Sequence, residues 1–442
     1  MCIRDRSISD SEQTFYLNDD LLYKGQFGQN NELAKIDDLN SSDAIVVWAE
    51  DLKEKMPVLY LRVRQAVKKG VKLIVFGHTN KTLSDIADVF YGKETVSKNF
   101  EIIKDVSKLN EIRNYVIGKN VTAIIGKSTP QQSDDSVTEL FEFLRSNSNT
   151  KILNAYTKGN IYGAFQTLEN IKGTRDFVEN ISGENTNLLF IVGADPVGRS
   201  FYSNQIKSII ENLDTVVSLD IFNHETAELS NFVIPVSSTL GEKEGTFTNI
   251  EFRTSRIDKL VPSPGQTVSD WEFITSLMNF AGLSNDSNSL EDLNNKAFVN
   301  IETSSKPVFD NLDKPSNLDG IINVYEPAIN TSENNSTKAL FYTGEKLYGD
   351  SVTERHSESI SLLGSKKFIE VSQDIVDKFN LTSGQCSMVQ GDIETTVSYI
   401  INDNLPNDLI YIPINRRDLN KFDFSKEIKV LPSRVKEALN VN

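Results

Sequence analysis

Short apolar runs alternate with longer segments of helical period along the first half of this chain, and that rhythm narrows its folds more than any other feature. Asp43–Ala49, DAIVVWA, is a run of buried-strand type. Pro57 suits the first position of a helix, where its missing N–H has no partner to lose. Leu59, Val63, Ala66 and Val67 then share one face, Gly70 closes the helix, and Val71–Gly77 is the next strand. A strand–helix–strand unit of this kind joins parallel strands with a right-handed crossover. A second round follows. Residues 81–91 and 107–117 carry helical spacing, and Val121–Gly126 is a strand. Asp134–Arg145 is a helix with Val137, Leu140, Phe141 and Leu144 as its buried stripe.

Residues 150–180 contain glycines without a clean period and read as a connection between domains. The rhythm returns at Leu188–Gly193, and a loop, Ala194–Gly198, leads to a helix around 202–212. Strand Thr215–Ile221, a short helix from His224 to Glu228 and strand Asn231–Val236 complete a second unit. The expected fold class is therefore α/β, with two Rossmann-like parallel-sheet units covered on both faces. Downstream, residues 284–340 are rich in Asn, Ser and Asp and read as a polar linker. Residues 341–442 carry short strand patterns at Phe368–Ser372, Cys386–Gln390, Glu394–Ile401 and Leu409–Pro413. With a short helix at Gln373–Phe379 and a turn at Leu381–Gly384, they predict a small β-barrel-like module. The expected domains are an irregular lead-in at 1–42, α/β domains at 43–150 and 151–283, the linker, and the C-terminal module.

Composition excludes several classes. The 442 residues carry a formal charge of −16, spread along the chain, so a nucleic-acid groove built from clustered Lys and Arg is not expected. No apolar run approaches the ~18 residues of a membrane-spanning helix, and direct membrane insertion is not expected. Met1–Arg6, MCIRDR, resembles translated sequencing adaptor. It is expected to be non-native, with the protein extending further N-terminally. The two cysteines, Cys2 and Cys386, provide no disulfide framework, zinc site or iron–sulfur cluster. The three histidines, His78, His224 and His356, are scattered singly and read as surface or structural residues rather than metal ligands.

The densest constellation runs from Leu240 to Trp271, after an apolar strand ending in Pro235. Glu242 and Glu244 lie beside Gly245, and a carboxylate pair suits acid–base chemistry. Carboxylates next to a Gly-Thr turn (Gly245, Thr246) more often order the loop through backbone N–H groups, and that reading is favoured. Asn249 and Arg253 read as loop locks too, although the planar guanidinium of Arg253 also suits a buried carboxylate or a phosphate. Asp270 is placed as a helix N-cap, with Trp271 beginning the buried face. Further upstream, Gly193 and Gly198 follow a strand and bracket Asp195-Pro196. They would cradle a phosphate at a helix N-terminus if the full glycine fingerprint were present, but it is not, and an ordinary strand-to-helix turn is favoured. From the residues alone no catalytic group is assigned.

The succession Glu242-x-x-Gly245-Thr246-x-x-Asn249, then Arg253, then Pro262-x-Pro264-Gly265 leading to Asp270-Trp271, resembles the molybdopterin oxidoreductase superfamily. Glu225-Thr226-Ala227 and Asn231–Pro235 are similar to that family's lead-in. Pro57-Val58-Leu59 with Arg62-Val63-Arg64 resembles one branch, the large iron–sulfur subunit of NADH-quinone oxidoreductase, respiratory complex I. Lys346–Tyr348, His356-Ser357 and Leu381–Gly384 resemble its C-terminal module. Phe252 departs from the family, which often has Gly there, and the cysteine sets of the iron–sulfur clusters are not in this sequence.

The resemblance implies a segment without catalytic, cofactor or metal residues of its own. Iron–sulfur clusters would lie further N-terminally, and the partners would be other peripheral-arm subunits. The setting would be the cytoplasmic face of a bacterial inner membrane. The alternative it implies is the C-terminal part of a genuine molybdopterin enzyme of the formate dehydrogenase kind. There Gly193, Asp195 and Gly198 and the final β module would hold the pterin dinucleotide. A free-standing interaction module is a third expectation.

Overall fold

A computed structural model of the chain describes residues 33–48, 51–76, 81–91, 106–126, 143–144, 146–155, 159–160, 163, 174–200, 202–239, 241–251, 253–282, 289–290, 292, 340–344, 347, 352–364, 368–403, 405, 407, 409–413, 419, 421–422 and 428–433. Residues 1–32 of the expected lead-in, residues 284–339 of the expected linker except 289–290 and 292, and most of the helix at 134–145 lie outside them. The chain divides into two compact units. One comprises Met1–Lys35, Ile152–Val197 and Gln205–Val324, and the other comprises Ile36–Lys151, Gly198–Asn204 and Tyr325–Asn442.

The first α/β sheet contains β1 (Ala44–Trp48), β2 (Lys72–Phe76), β3 (Val89–Tyr91), β4 (Val121–Gly126) and β5 (Thr150–Ala155), in the order β3-β2-β1-β4-β5. β1 runs parallel to both β2 and β4, with Ala44 opposite Lys72 on one side and Val121 on the other. Every residue of β1 is buried, as expected for a strand covered on both faces. The helix Pro57–Lys68 links β1 to β2 and buries Leu59, Tyr60, Val63 and Ala66. Gly70 stops it with φ of 99°, a left-handed conformation that lets the Val71 N–H reach back to the Ala66 carbonyl at 3.3 Å.

Two expectations in this region are corrected. Residues 81–91 are not one helix: Lys81–Ser84 makes a single turn, and 89–91 form β3. Asp88 decides the change, because its carboxylate accepts the Leu73 N–H at 3.0 Å and the Lys72 ammonium at 2.7 Å. That fixes the chain against β2 just before Val89-Phe90-Tyr91, a β-branched and aromatic triplet suited to a strand. Likewise, residues 150–180 are not merely a connection. They begin with β5, whose Ile152, Leu153 and Ala155 are buried, and include the helix Thr174–Asn180. Short apolar runs carry little periodic signal, and pairing decides them.

The second α/β sheet consists of β6 (Leu188–Val192), β7 (Thr215–Asp220) and β8 (Phe232–Pro235), all parallel in the order β6-β7-β8. The helix Asp270–Phe280 covers this sheet, with Ile274 and Met278 in one core with Val217, Leu219 and Val236. Between sheet and helix the chain folds a hairpin, β9 (Gly245–Thr248) against β10 (Thr254–Ile257), where the sequence suggested only an ordered loop.

The C-terminal module is a six-stranded mixed sheet. Its strands are β11 (Leu340–Gly344), β12 (Phe368–Val371), β13 (Gln385–Gln390), β14 (Ile393–Ile401), β15 (Leu409–Pro413) and β16 (Lys429–Pro432), in the order β11-β15-β12-β14-β13-β16. Ile369, Val371, Ile375, Cys386, Met388, Val397, Ile410 and Ile412 form its core. On β13 three successive residues, Cys386, Ser387 and Met388, are buried, with Cys386 and Met388 in the apolar core.

Candidate functional site

Parallel strands direct their carboxyl ends the same way, so the loops after β6 and β7 emerge side by side. Gly193 ends β6 with φ of 61°, and its N–H bonds the Leu219 carbonyl at 2.9 Å. A Cβ built there would meet nothing within 4 Å, so the backbone faces open space. Two residues on, Asp195 turns inward. Its Oδ1 accepts the Thr226 Oγ1–H at 2.7 Å and the Thr226 N–H at 3.2 Å. Thr226 Oγ1 in turn accepts the Val197 N–H at 3.1 Å, so one threonine fixes the whole β6 loop.

His224 joins this loop to the end of β7. Its Nδ1 lies 3.2 Å from Asp195 Oδ1 and its Nε2 lies 3.2 Å from Asp220 Oδ2. The imidazole is 1% exposed, and the Asp195 and Asp220 side chains 4% and 12%, which makes this a desolvated carboxylate–imidazole–carboxylate chain. Asp220 Oδ1 also accepts the Ile221 N–H at 2.7 Å, shaping the turn after β7. Burial opposes a charge on His224. The hydrogen bonds and charges of Asp195 and Asp220 outweigh it and raise its pKa to about 9. For Asp195 burial works upward, but hydrogen bonds from His224 and Thr226 and the imidazolium charge bring its pKa down to about 2.

Sequence reasoning missed this cluster by treating His224 as an isolated histidine. The i, i+4 spacing of Asp220 and His224 was available. The third member, Asp195, lies 29 positions from His224 in the sequence and joins them only through the β6–β7 pairing.

Of the expected site residues, Gly193 and Asp195 belong to this cluster, while Gly198 falls inside a one-turn helix, Pro196–Arg199. This corrects the loop expected at Ala194–Gly198. It also removes the phosphate cradle: Pro196 has no N–H and the Val197 N–H is committed to Thr226. The Leu240–Trp271 residues form a separate set of locks. Glu242 accepts the Ser238 N–H at 2.7 Å, and Asn249 Oδ1 accepts the N–H groups of Glu251 at 2.9 Å and Arg253 at 3.0 Å. Gly245 and Thr246 are strand residues of β9, facing Ile257 and Arg256 across the hairpin. Glu244 is ion-paired to Arg256 at 3.4 Å on the surface rather than joined with Glu242 as a carboxylate pair.

Asp270 is not the N-cap of its helix. Ser269 occupies that position, in a capping box with Glu272, whose carboxylate accepts the Ser269 N–H at 3.0 Å. Asp270 instead pairs with Lys243 at 2.7 Å. Trp271 is half-buried, and Ile274, Thr275 and Met278 make the buried face. Among the described residues, no group of three or more His, Cys, Asp or Glu is placed to hold a metal ion, and no helix is long and apolar enough to cross a membrane.

Comparison with known proteins matches residues 6–280 to the molybdopterin oxidoreductase family. The F420-dependent formate dehydrogenase 2 subunit alpha of Methanococcus maripaludis is 36% identical over 129 residues, 27% of this chain and 19% of that protein. The assimilatory nitrate reductase catalytic subunit of Bacillus subtilis is 33% identical over 107 residues, 24% of this chain and 15% of its own length. The matched stretch thus spans less than a fifth of either relative. Acetylene hydratase from Pelobacter acetylenicus shares the fold with a TM-score of 0.59 at 13% identity, covering 86% of this chain and 71% of that one.

Proposed function

We propose that this chain, which belongs to the molybdopterin oxidoreductase family, is the C-terminal part of a molybdopterin-dependent oxidoreductase of the formate dehydrogenase kind. In this reading the carboxyl ends of β6 and β7 hold the nucleoside end of the pterin dinucleotide. One observation carries it: two loops at adjacent parallel strand ends are locked to each other by buried ionic contacts, beside a glycine backbone facing open space.

The residues present fit such a group. Gly193 allows close approach to the backbone. Asp195 acts from behind, its Oδ1 already engaged by Thr226, and so positions the loop rather than the ligand. When bound, the pterin would hold a molybdenum centre able to carry two-electron redox chemistry. This chain's own residues would bind and orient the nucleoside end. The formate dehydrogenase and nitrate reductase relatives support this reading more directly than the complex I branch.

The complex I reading rests in part on Pro57–Leu59 and Arg62–Arg64. In the structure those residues have local reasons to be there: Leu59 and Val63 are core, and Arg64 lies over the Tyr60 ring at 5.6 Å. Full-length protein purified anaerobically separates the two readings. Stoichiometric molybdenum and pterin with formate-dependent dye reduction is the expected result. Copurification with an NADH-oxidising assembly, without molybdenum, would overturn it in favour of the complex I subunit, its peripheral-arm partners and its inner-membrane setting.

A further inference from the structure

The geometry points to His224 as a positioning residue: as an imidazolium it clamps the loop after β6 to the end of β7 and so fixes how those two strand ends sit against each other. That these strand ends receive a pterin dinucleotide rests on the function proposed above; the clamp itself does not.

The charge state follows from which atoms face the ring. Asp195 Oδ1 stands 3.2 Å from Nδ1 and Asp220 Oδ2 stands 3.2 Å from Nε2. Ionised carboxylates only accept, so a nitrogen lone pair facing either one would be repelled. Two carboxylates at that distance favour the ring as a cation over the neutral form, which would leave one of them facing an unprotonated nitrogen. The Ala227 N–H also points at Nδ1, at 3.2 Å, and would be accepted only by a deprotonated Nδ1. The two demands exclude each other. The charged groups acting on the ring are Asp195, from the β6 loop, and Asp220, from β7, and they oppose the single amide of the ring's own helix. Two buried carboxylates outweigh one amide donor, because a buried carboxylate without its counter-charge is far more costly than an amide with an imperfect acceptor.

His224 thus has two settings. Protonated, it bridges the loops. Deprotonated, it releases Asp195 and becomes an ordinary N-cap for Glu225–Glu228. Thr226 keeps its own bonds to Asp195 in both, so the β6 loop stays folded while its tie to β7 loosens.

His224→Thr tests this, since threonine retains the capping function but carries no charge. The first readout is the ring nitrogens of 15N-histidine-labelled full-length protein, with the His224 signals assigned by their loss in H224T. Both nitrogens protonated at pH 8 is the expected result, and a neutral His224 ring at pH 8 overturns the clamp. The second readout is pterin retained after dialysis, measured as its fluorescent oxidation product. Wild type should retain it at pH 7.5 and release it above the ring's titration. H224T should retain at least about tenfold less at pH 7.5, as loss of a charge-assisted tie implies, with no step near pH 9. Equal retention and an unchanged pH profile in H224T overturn the positioning role. A wild-type protein that carries no pterin at any pH overturns the proposed function instead, and the ring titration then judges the clamp alone.

Discussion

Lys243 and Asp270 form a nearly buried ion pair, Nζ to Oδ2 at 2.7 Å, that ties the loop before the β9–β10 hairpin to the first turn of the helix Asp270–Phe280. Their side chains are only 12% and 9% exposed, so each charge depends on the other for solvation. Asp270 Oδ1 also takes the Trp271 N–H at 3.0 Å. Removing one member leaves the other charged and dry. Lys243→Met should therefore destabilise the protein by about 3 kcal/mol, read as a lower denaturant midpoint, and adding Asp270→Asn should recover part of that loss. An additive double variant would show that the two residues do not couple.

A second prediction concerns pH. The folded-state pKa of His224 is raised from 6.5 to about 9, so its contribution to stability is fully present below pH 6.5 and is lost as pH rises through about 9. Asp195 is lowered from 3.8 to about 2, so its contribution is present above pH 3.8 and is lost as pH falls through about 2. Because the two share one interaction, the effects do not add. A shift of this size corresponds to about 3 kcal/mol at most, and melting temperature should fall on the alkaline side in wild type but not in H224T.

Asn249 offers a third test. Its Oδ1 holds the Glu251 and Arg253 amides, and its own N–H bonds the Arg253 carbonyl at 3.0 Å. Asn249→Ala should cost about 1–2 kcal/mol and speed exchange of the Glu251 and Arg253 amides, while Asn249→Asp, which keeps the acceptor, should behave near wild type.

Cys386 provides the fourth. It is fully buried in the C-terminal sheet, and burial pushes its thiol pKa up to about 12. At pH 8 the thiolate fraction is negligible, so peptide mapping after alkylation should find Cys386 unmodified in folded protein and fully modified after denaturation. Rapid labelling without denaturant would contradict the packing described for β13.

Much of the fold was legible in advance for a definite reason. The apolar runs AIVVW and KLIVF read as strands, and Pro57 and Gly70 mark the ends of the helix between them. β3 and β5 were not legible, because Val89-Phe90-Tyr91 is too short to show a period and residues 150–155 carry buried Thr150 and Asn154 among their apolar neighbours. The site divides the same way. Asn249 and Glu242 could be recognised as loop locks because their partners lie within four residues. Asp270 was misplaced as a cap because its true partner, Lys243, is 27 residues away.

By itself the sequence determined the alternation of strand and helix, the local caps and turns, and the motif order that marks this family, all of which depend on neighbours along the chain. Only the tertiary structure decided that Asp195, Asp220 and His224 meet. Parallel pairing of β6 with β7 brings distant loops together, and the two carboxylates that meet there, against the opposing effect of burial, raise the pKa of His224 and hold it as a cation.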